Sequence, residues 1–180
     1  MRILAAVAAL LLAADAEAQE PARSAEAAPG VPADPAACTG FDWSLLREQA
    51  WFAAPGLPQV ASGGALPVGM PGALLGLKPQ AEVAPPFPPS REAKPGTYGG
   101  VLTVPAPVTP GLYQVTLSDG AWIDVSQDGK TTRSPVAHTM RPGCRVVAKS
   151  VRFQLGAVPI TIVVSGAKAD TIRIAVAPAE

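Results

Sequence analysis

From Tyr98 to the end of the chain, apolar and polar residues alternate in short runs, and this period of two narrows the possible folds more than any other feature. In Leu112–Leu117, Tyr113, Val115 and Leu117 share one face. In Ala121–Val125, Ile123 and Val125 oppose Trp122 and Asp124. Val151, Phe153 and Leu155 alternate with Arg152 and Gln154, followed by Ile160, Ile162 and Val164 and then by Ile172, Ile174 and Val176. With Gly99–Val104 the pattern predicts about seven strands separated by Gly, Pro or Asp turns. Ser118-Asp119-Gly120 reads as a hairpin turn joining the Leu112 and Ala121 runs, and Gln127-Asp128-Gly129-Lys130 as a second turn. No long helical pattern separates the runs, which argues against a parallel α/β sheet. The predicted fold is mostly β: an antiparallel, jelly-roll-like β-sandwich with one short N-terminal helix docked on it.

That helix is expected at about 42–53. Asp42 is the candidate N-cap and Pro55-Gly56 the stop. Trp43, Leu46, Ala50 and Ala53 fall on one helical face, widened by Leu45 and Phe52, while Arg47, Glu48 and Gln49 supply polar positions. A helix of about three turns does not stand alone in water, so it must dock; its Trp-rich stripe is read as core rather than as a cofactor box. Residues 55–96 contain ten of the 21 prolines and read as a Pro-rich wrap over the domain, with short strands at 73–77 and 82–84.

The N-terminus reads as an address. Met1-Arg2 precedes an apolar run from Ile3 to Ala14, long enough for a secretory core and too short to span a bilayer. Small-x-small patterns follow, so residues 1–18 are a predicted signal peptide and 19–37 a disordered Ala/Pro-rich leader, with a single domain at 38–180. The protein is therefore expected to be periplasmic or secreted, with no transmembrane segment in its mature form. In an oxidising compartment the two cysteines, Cys38 and Cys144, pair as one disulfide. The 14 basic and 14 acidic residues balance to zero net charge, so no single-sign field draws nucleic acid. The expected partners are a cell-envelope glycan or a protein.

Side chains that do chemistry are few. His138 is the only histidine, and it sits in Ser134-Pro-Val-Ala-His-Thr-Met-Arg-Pro-Gly143, which reads as a surface loop. No nucleophile elbow is present, no catalytic residue is assigned, and no metal site or cofactor is expected. A two-His-one-carboxylate iron site exceeds the histidine count, and a catalytic zinc site is hard to assemble. Asp119, Asp124 and Asp128 do not match the spacing of a Ca²⁺ loop. The informative pair is Trp122 and Asp124, on the face opposite Ile123 and Val125. Either the N-terminal helix covers that face, or it displays a Trp beside a carboxylate, equipment suited to stacking on a sugar ring. Lys149 is in phase with Val151, Phe153 and Leu155, so it must snorkel or pair with a carboxylate such as Asp124. Arg141, Arg145, Lys149 and Arg152 form a basic run without acids, read as a solvated edge.

Cys38, Phe41-x-Trp43, Glu48-x-Ala50-x-Phe52-Ala53, Pro95-Gly-Thr-Tyr98, Gly111–Ser118, Ala121-Trp-Ile-Asp-Val125, Asp128-Gly129, Cys144 and Lys149-Ser-Val-Arg-Phe153 together resemble a group of small exported proteobacterial proteins with no established activity. The resemblance spans about residues 38–177 and implies no catalytic residues. Some of these proteins carry a homogentisate dioxygenase label, but that chemistry needs a histidine-rich iron site that one histidine does not build. The sequence thus favours a non-catalytic binding or envelope-associated accessory module. Carbohydrate binding through Trp122 and Asp124 is the first alternative, and an enzyme is the disfavoured one.

Overall fold

The structure, a computed structural model, describes residues 38–180; the predicted signal peptide and leader lie outside the described residues. Ten strands form two sheets. The larger has the order β1 (Gln59–Ala61), β2 (Gly72–Gly76), β10 (Thr171–Pro178), β5 (Gly111–Leu117), β8 (Lys149–Leu155) and β7 (Ala137–Met140). The smaller has the order β3 (Lys78–Pro79), β4 (Tyr98–Val104), β9 (Ile160–Ala167) and β6 (Trp122–Ser126). Every pairing is antiparallel except β1 with β2. One short helix, α1 (Leu46–Ala53), completes the β-sandwich.

The alternation does what a period of two requires. Val115, Leu117, Phe153, Leu155, Ile172 and Ile174 from the larger sheet join Leu102, Ile123, Val125, Ile160, Ile162 and Val164 from the smaller in one buried cluster. Full burial of such a side chain contributes roughly 1.5–3 kcal/mol relative to exposure, so these two rows hold the layers together. A bulge between Tyr98 and Gly100 keys β4 against β9. Gly99 sits in that bulge, where a Cβ would come within 2.9 Å of the Val164 carbonyl oxygen.

Four local expectations change. The Leu112 and Ala121 runs are not a hairpin: β5 and β6 belong to different sheets, and Ser118-Asp119-Gly120 carries the chain across the sandwich. The His138 segment is not a loop but the edge strand β7, paired on one side only, from Ala137 opposite Arg152 to Met140 opposite Lys149. The 82–84 strand is absent, and a 3-10 turn at Gln80–Glu82 stands before it. The helix starts at Leu46, and Asp42 does not cap it; the Asp42 backbone N–H donates instead to Thr139 Oγ1 at 3.1 Å.

The helix also presents a different face. Leu46 is 73% exposed and Ala50 and Ala53 are exposed too, while Leu45, Glu48 and Phe52 point inward. These three are spaced i, i+3, i+7, so the stripe is a proper helical one with a carboxylate in its middle. Leu45 and Phe52 pack in a second cluster with Cys144, Val147 and Ala175 on the outer face of the larger sheet. Cys38 and Cys144 form the expected disulfide, which ties the approach to α1 onto the β7–β8 connection.

Candidate functional site

Both outer faces of the sandwich carry a buried carboxylate. Under α1, Glu48 is 1% exposed. Its Oε1 accepts from Gln114 Nε2 at 2.9 Å and from Arg47 Nη2 at 2.8 Å. Gln114 lies opposite Arg152 in the β5–β8 register, and the Arg152 guanidinium rests 4.1 Å from the centre of the Trp43 ring. In the neighbouring row Thr116 and Ser150 share a hydroxyl hydrogen bond of 2.9 Å. This buried polar layer explains why a glutamate faces inward: its Oε1 is matched by an amide and a guanidinium, while Oε2 and the neighbouring Trp43 Nε1 have no hydrogen-bond partner.

On the smaller sheet Asp124 is likewise 1% exposed, on the outward side of β6. The Pro-rich segment, not the helix, runs over this face. Ser90 donates its hydroxyl to Asp124 Oδ1. Trp122 Nε1 donates to Ser90 Oγ at 2.9 Å and approaches Asp124 Oδ1 at 3.3 Å. Thr132 Oγ1 donates to the Pro88 carbonyl at 2.9 Å, and Phe87 is buried at the same crossing. Asp124 is thus a post that orients the Trp122 indole and pins the strap. Its second oxygen, Oδ2, is buried without a hydrogen-bond partner.

Trp122 is half-buried. Two cations attend its ring, Arg91 with its guanidinium carbon 4.6 Å from the ring centre and Lys149 with Nζ at 4.7 Å. Such contacts contribute from about 0.5 kcal/mol at exposed sites to about 2 when desolvated, so they help hold the indole in place alongside its hydrogen bonds. Lys149 is buried, and Nζ donates to the Ala121 carbonyl at 3.1 Å. Burial pushes its ammonium below the ordinary lysine range, the Arg91 charge pushes the same way, and Asp124 opposes both. On one side of the indole, a cleft of about 160 Å³ is lined by Arg91, Lys94, Gly120, Trp122 and Ser165. On the other, a cleft of about 150 Å³ is lined by Ser90, Trp122, Asp124 and Arg133.

The strand directions place a different surface at the opposite end of the sandwich. There Leu66, Met70, Val104, Val108, Tyr113 and Ile160 help line an apolar cleft of about 410 Å³. Val68 and Val108 stand 88% and 96% exposed. A fourth, polar groove of about 470 Å³ runs past Asp128, Thr131 and Gln154. Asp128 itself belongs to its turn: it accepts from the Thr131 hydroxyl, the Thr131 and Lys130 backbone N–H groups and the Ser126 hydroxyl, which together hold its carboxyl well below the usual range.

Of the residues singled out from the sequence, the fold brings Trp122, Asp124 and Lys149 together. His138 is exposed on β7, opposite Val151, and lines neither Trp122 cleft. The basic run is dispersed: Arg141 lies over Phe41, Arg152 over Trp43, and Lys149 at Trp122. Sequence reading missed Ser90, Arg91 and Lys94, which sit in a proline-rich stretch without periodicity; only the hydrogen-bonding side chains between its prolines hint at an anchored crossing. Among the described residues, no three His, Cys, Asp or Glu side chains converge to hold a metal ion, and no helix is long and apolar enough to cross a membrane. Comparison of the chain with protein-family models, curated proteins and solved structures finds no match.

Proposed function

We propose that this protein is an exported, non-catalytic binding module that engages a cell-envelope saccharide at the Trp122 end of the sandwich. The reading rests chiefly on one observation: a half-exposed indole, fixed by Asp124 and Ser90, forms the shared wall of two clefts. A rigid aromatic with a polar surround is what sugar recognition needs, because it supplies apolar area at low entropic cost. The apolar run at 3–14 and the disulfide support export, as does the resemblance to small exported proteobacterial proteins. The scarcity of histidine and the confinement of Asp128 to its turn favour binding over turnover.

Two measurements test this. The mature protein recovered from an exporting host should begin at Gln19 and remain outside the cytoplasm; retention of Met1 in the cytoplasmic fraction counts against export. Calorimetric titration with envelope oligosaccharides should show saturable heat, abolished in Trp122→Ala while the circular dichroism spectrum is kept. Equal heats from parent and variant would remove Trp122 from the site. The apolar cleft at the other end supports a second reading, an accessory module docking an apolar partner there. In that case Val108→Asp, not Trp122→Ala, would abolish the interaction.

A further inference from the structure

Resting on the Trp122 reading above, we infer that the ligand of this site carries an anionic oxygen group, a carboxylate or a phosphate, which seats between Arg91 and Lys94 beside the indole.

A neutral sugar ring stacks on an open aromatic face. Here Arg91 and Lys149 both lie within 5 Å of the Trp122 ring centre, so the aromatic surface is already engaged by cations. Asp124 does not serve as an acceptor for ligand hydroxyls, because Oδ1 is taken by Ser90 and Trp122 and the residue is 1% exposed. Part of what would read a neutral sugar is therefore engaged within the protein, and the remaining open part of the indole calls for a second, charged anchor.

What the cleft does offer is positive charge. Arg91 and Lys94 line it directly, and both are exposed. Lys149 is buried just behind the ring. The ion pairs among the described residues join Arg47 to Glu48 and to Glu180, so no described carboxylate lies within 4.0 Å of Arg91, Lys94 or Lys149. Arg91 and Lys94 thus line the cleft with Lys149 at the indole, while the acids around it do not line it. Asp124 is hydrogen-bonded to Ser90 and Trp122, Asp119 accepts from the Gly120 and Lys168 backbone N–H groups, and Glu92 is exposed. A guanidinium and an ammonium at the rim of a partly desolvated cleft recognise an oxyanion through charge-assisted hydrogen bonds. The cleft, at about 160 Å³, is below the ~300 Å³ at which sites begin to enclose drug-sized ligands. It suits a single charged group on a larger molecule lying along the surface.

The test is calorimetric titration of the mature protein at low salt with three probes: a uronic-acid tetrasaccharide, the same tetrasaccharide with its carboxyls reduced to alcohols, and inorganic phosphate. The inference expects the uronate to bind at least about tenfold more tightly than its reduced form. Arg91→Gln and Lys94→Gln should each weaken binding about tenfold, Arg91→Lys should recover most of it, and affinity should fall as salt screens the site. Both residues are exposed, so these variants keep the fold. Phosphate binding as tightly as the uronate would support the anion site and overturn the saccharide as its carrier. Equal binding of the reduced and unreduced sugars, with Arg91→Gln silent, would overturn the anion and leave the saccharide reading intact. No heat with any probe would overturn both.

Discussion

The two outer faces of the sandwich solve one problem in opposite ways. Each hides a carboxylate at 1% exposure, and each leaves one of its oxygens buried without a hydrogen bond. Glu48 is neutralised at contact distance by Arg47, 2.8 Å away, and its amide partner Gln114 is held in turn by Arg152 at 3.3 Å. Asp124 has only neutral donors at contact, Ser90 and Trp122, and its countercharges, Lys149 and Arg91, stand farther off around an indole. The first face is closed, under a helix anchored by a disulfide. The second is crossed by a narrow strap and keeps clefts on both sides of the tryptophan. The carboxylate with a charged partner at contact lies under a closed face, whereas the one whose cations stand farther off lies beside the two clefts.

Removing the tether should produce the largest difference between the faces. Cys38→Ser with Cys144→Ser opens a link spanning 106 residues, which by chain entropy stabilises the fold by roughly 4–5 kcal/mol. Urea unfolding should show a loss of that order, with hydrogen exchange rising first under α1 and leaving the Trp122 end protected. Uniform deprotection of both faces would break the comparison. Glu48→Gln should come next, at about 2–3 kcal/mol, because the charge-assisted hydrogen bonds that the buried Oε1 accepts from Arg47 and Gln114 give way to weaker neutral ones, even though Arg47 keeps Glu180. Asp124→Asn should cost less, about 1–2 kcal/mol, since an amide oxygen still accepts from Ser90 and Trp122. If the order of these two were reversed in denaturant titrations, the Asp124 charge would be the more strongly coupled.

Lys149→Met should leave stability within about 1 kcal/mol of the parent near neutral pH, or raise it, because burial already works against the ammonium. Lys149 binds its proton less tightly in the folded protein than in the unfolded chain. The parent should therefore gain stability as pH rises from the lowered lysine value toward about 10.4, where the unfolded chain also deprotonates. That increment should be missing in Lys149→Met, and its persistence would assign the effect elsewhere. The smallest effect belongs to Asp128, which is exposed and held low chiefly by Thr131. Its contribution is complete above the unfolded carboxylate value of about 4 and should be lost as pH falls below it. Asp128→Asn should flatten the acid limb of the stability profile by lowering the neutral-pH plateau slightly toward the acid value.

Much of this architecture was legible in the sequence, and the failures have physical reasons. Alternation located the strands because both inner rows are buried, so a period of two is enforced on every strand that crosses the core. Edge strand β7 escaped because it pairs on one side only and Pro135 and Pro142 flank it. The β5–β6 hairpin was misread because Ser118-Asp119-Gly120 signals a reversal of direction without saying which sheet receives the next strand. The helix face was misassigned because Glu48 counts as a surface residue until Gln114, 66 positions away, is placed above it. At the candidate site, Trp122, Asp124 and Lys149 were visible as residues out of keeping with their rows. Ser90 and Arg91 were not, because a strap with few regular backbone hydrogen bonds leaves no period to detect.

The strand order also has a consequence for biogenesis. At the centre of the larger sheet, β2 waits for β10 and β5 waits for β8 and β10, while Cys38 waits for Cys144. A chain that emerges N-terminus first presents Cys38 as an unpaired thiol until more than a hundred further residues have followed it. Throughout that interval the early strands have no central partner to cover their apolar edges. Correct oxidation is thus coupled to arrival of the C-terminal half, and a folding helper would act on a reduced chain whose central strand pairs are still missing.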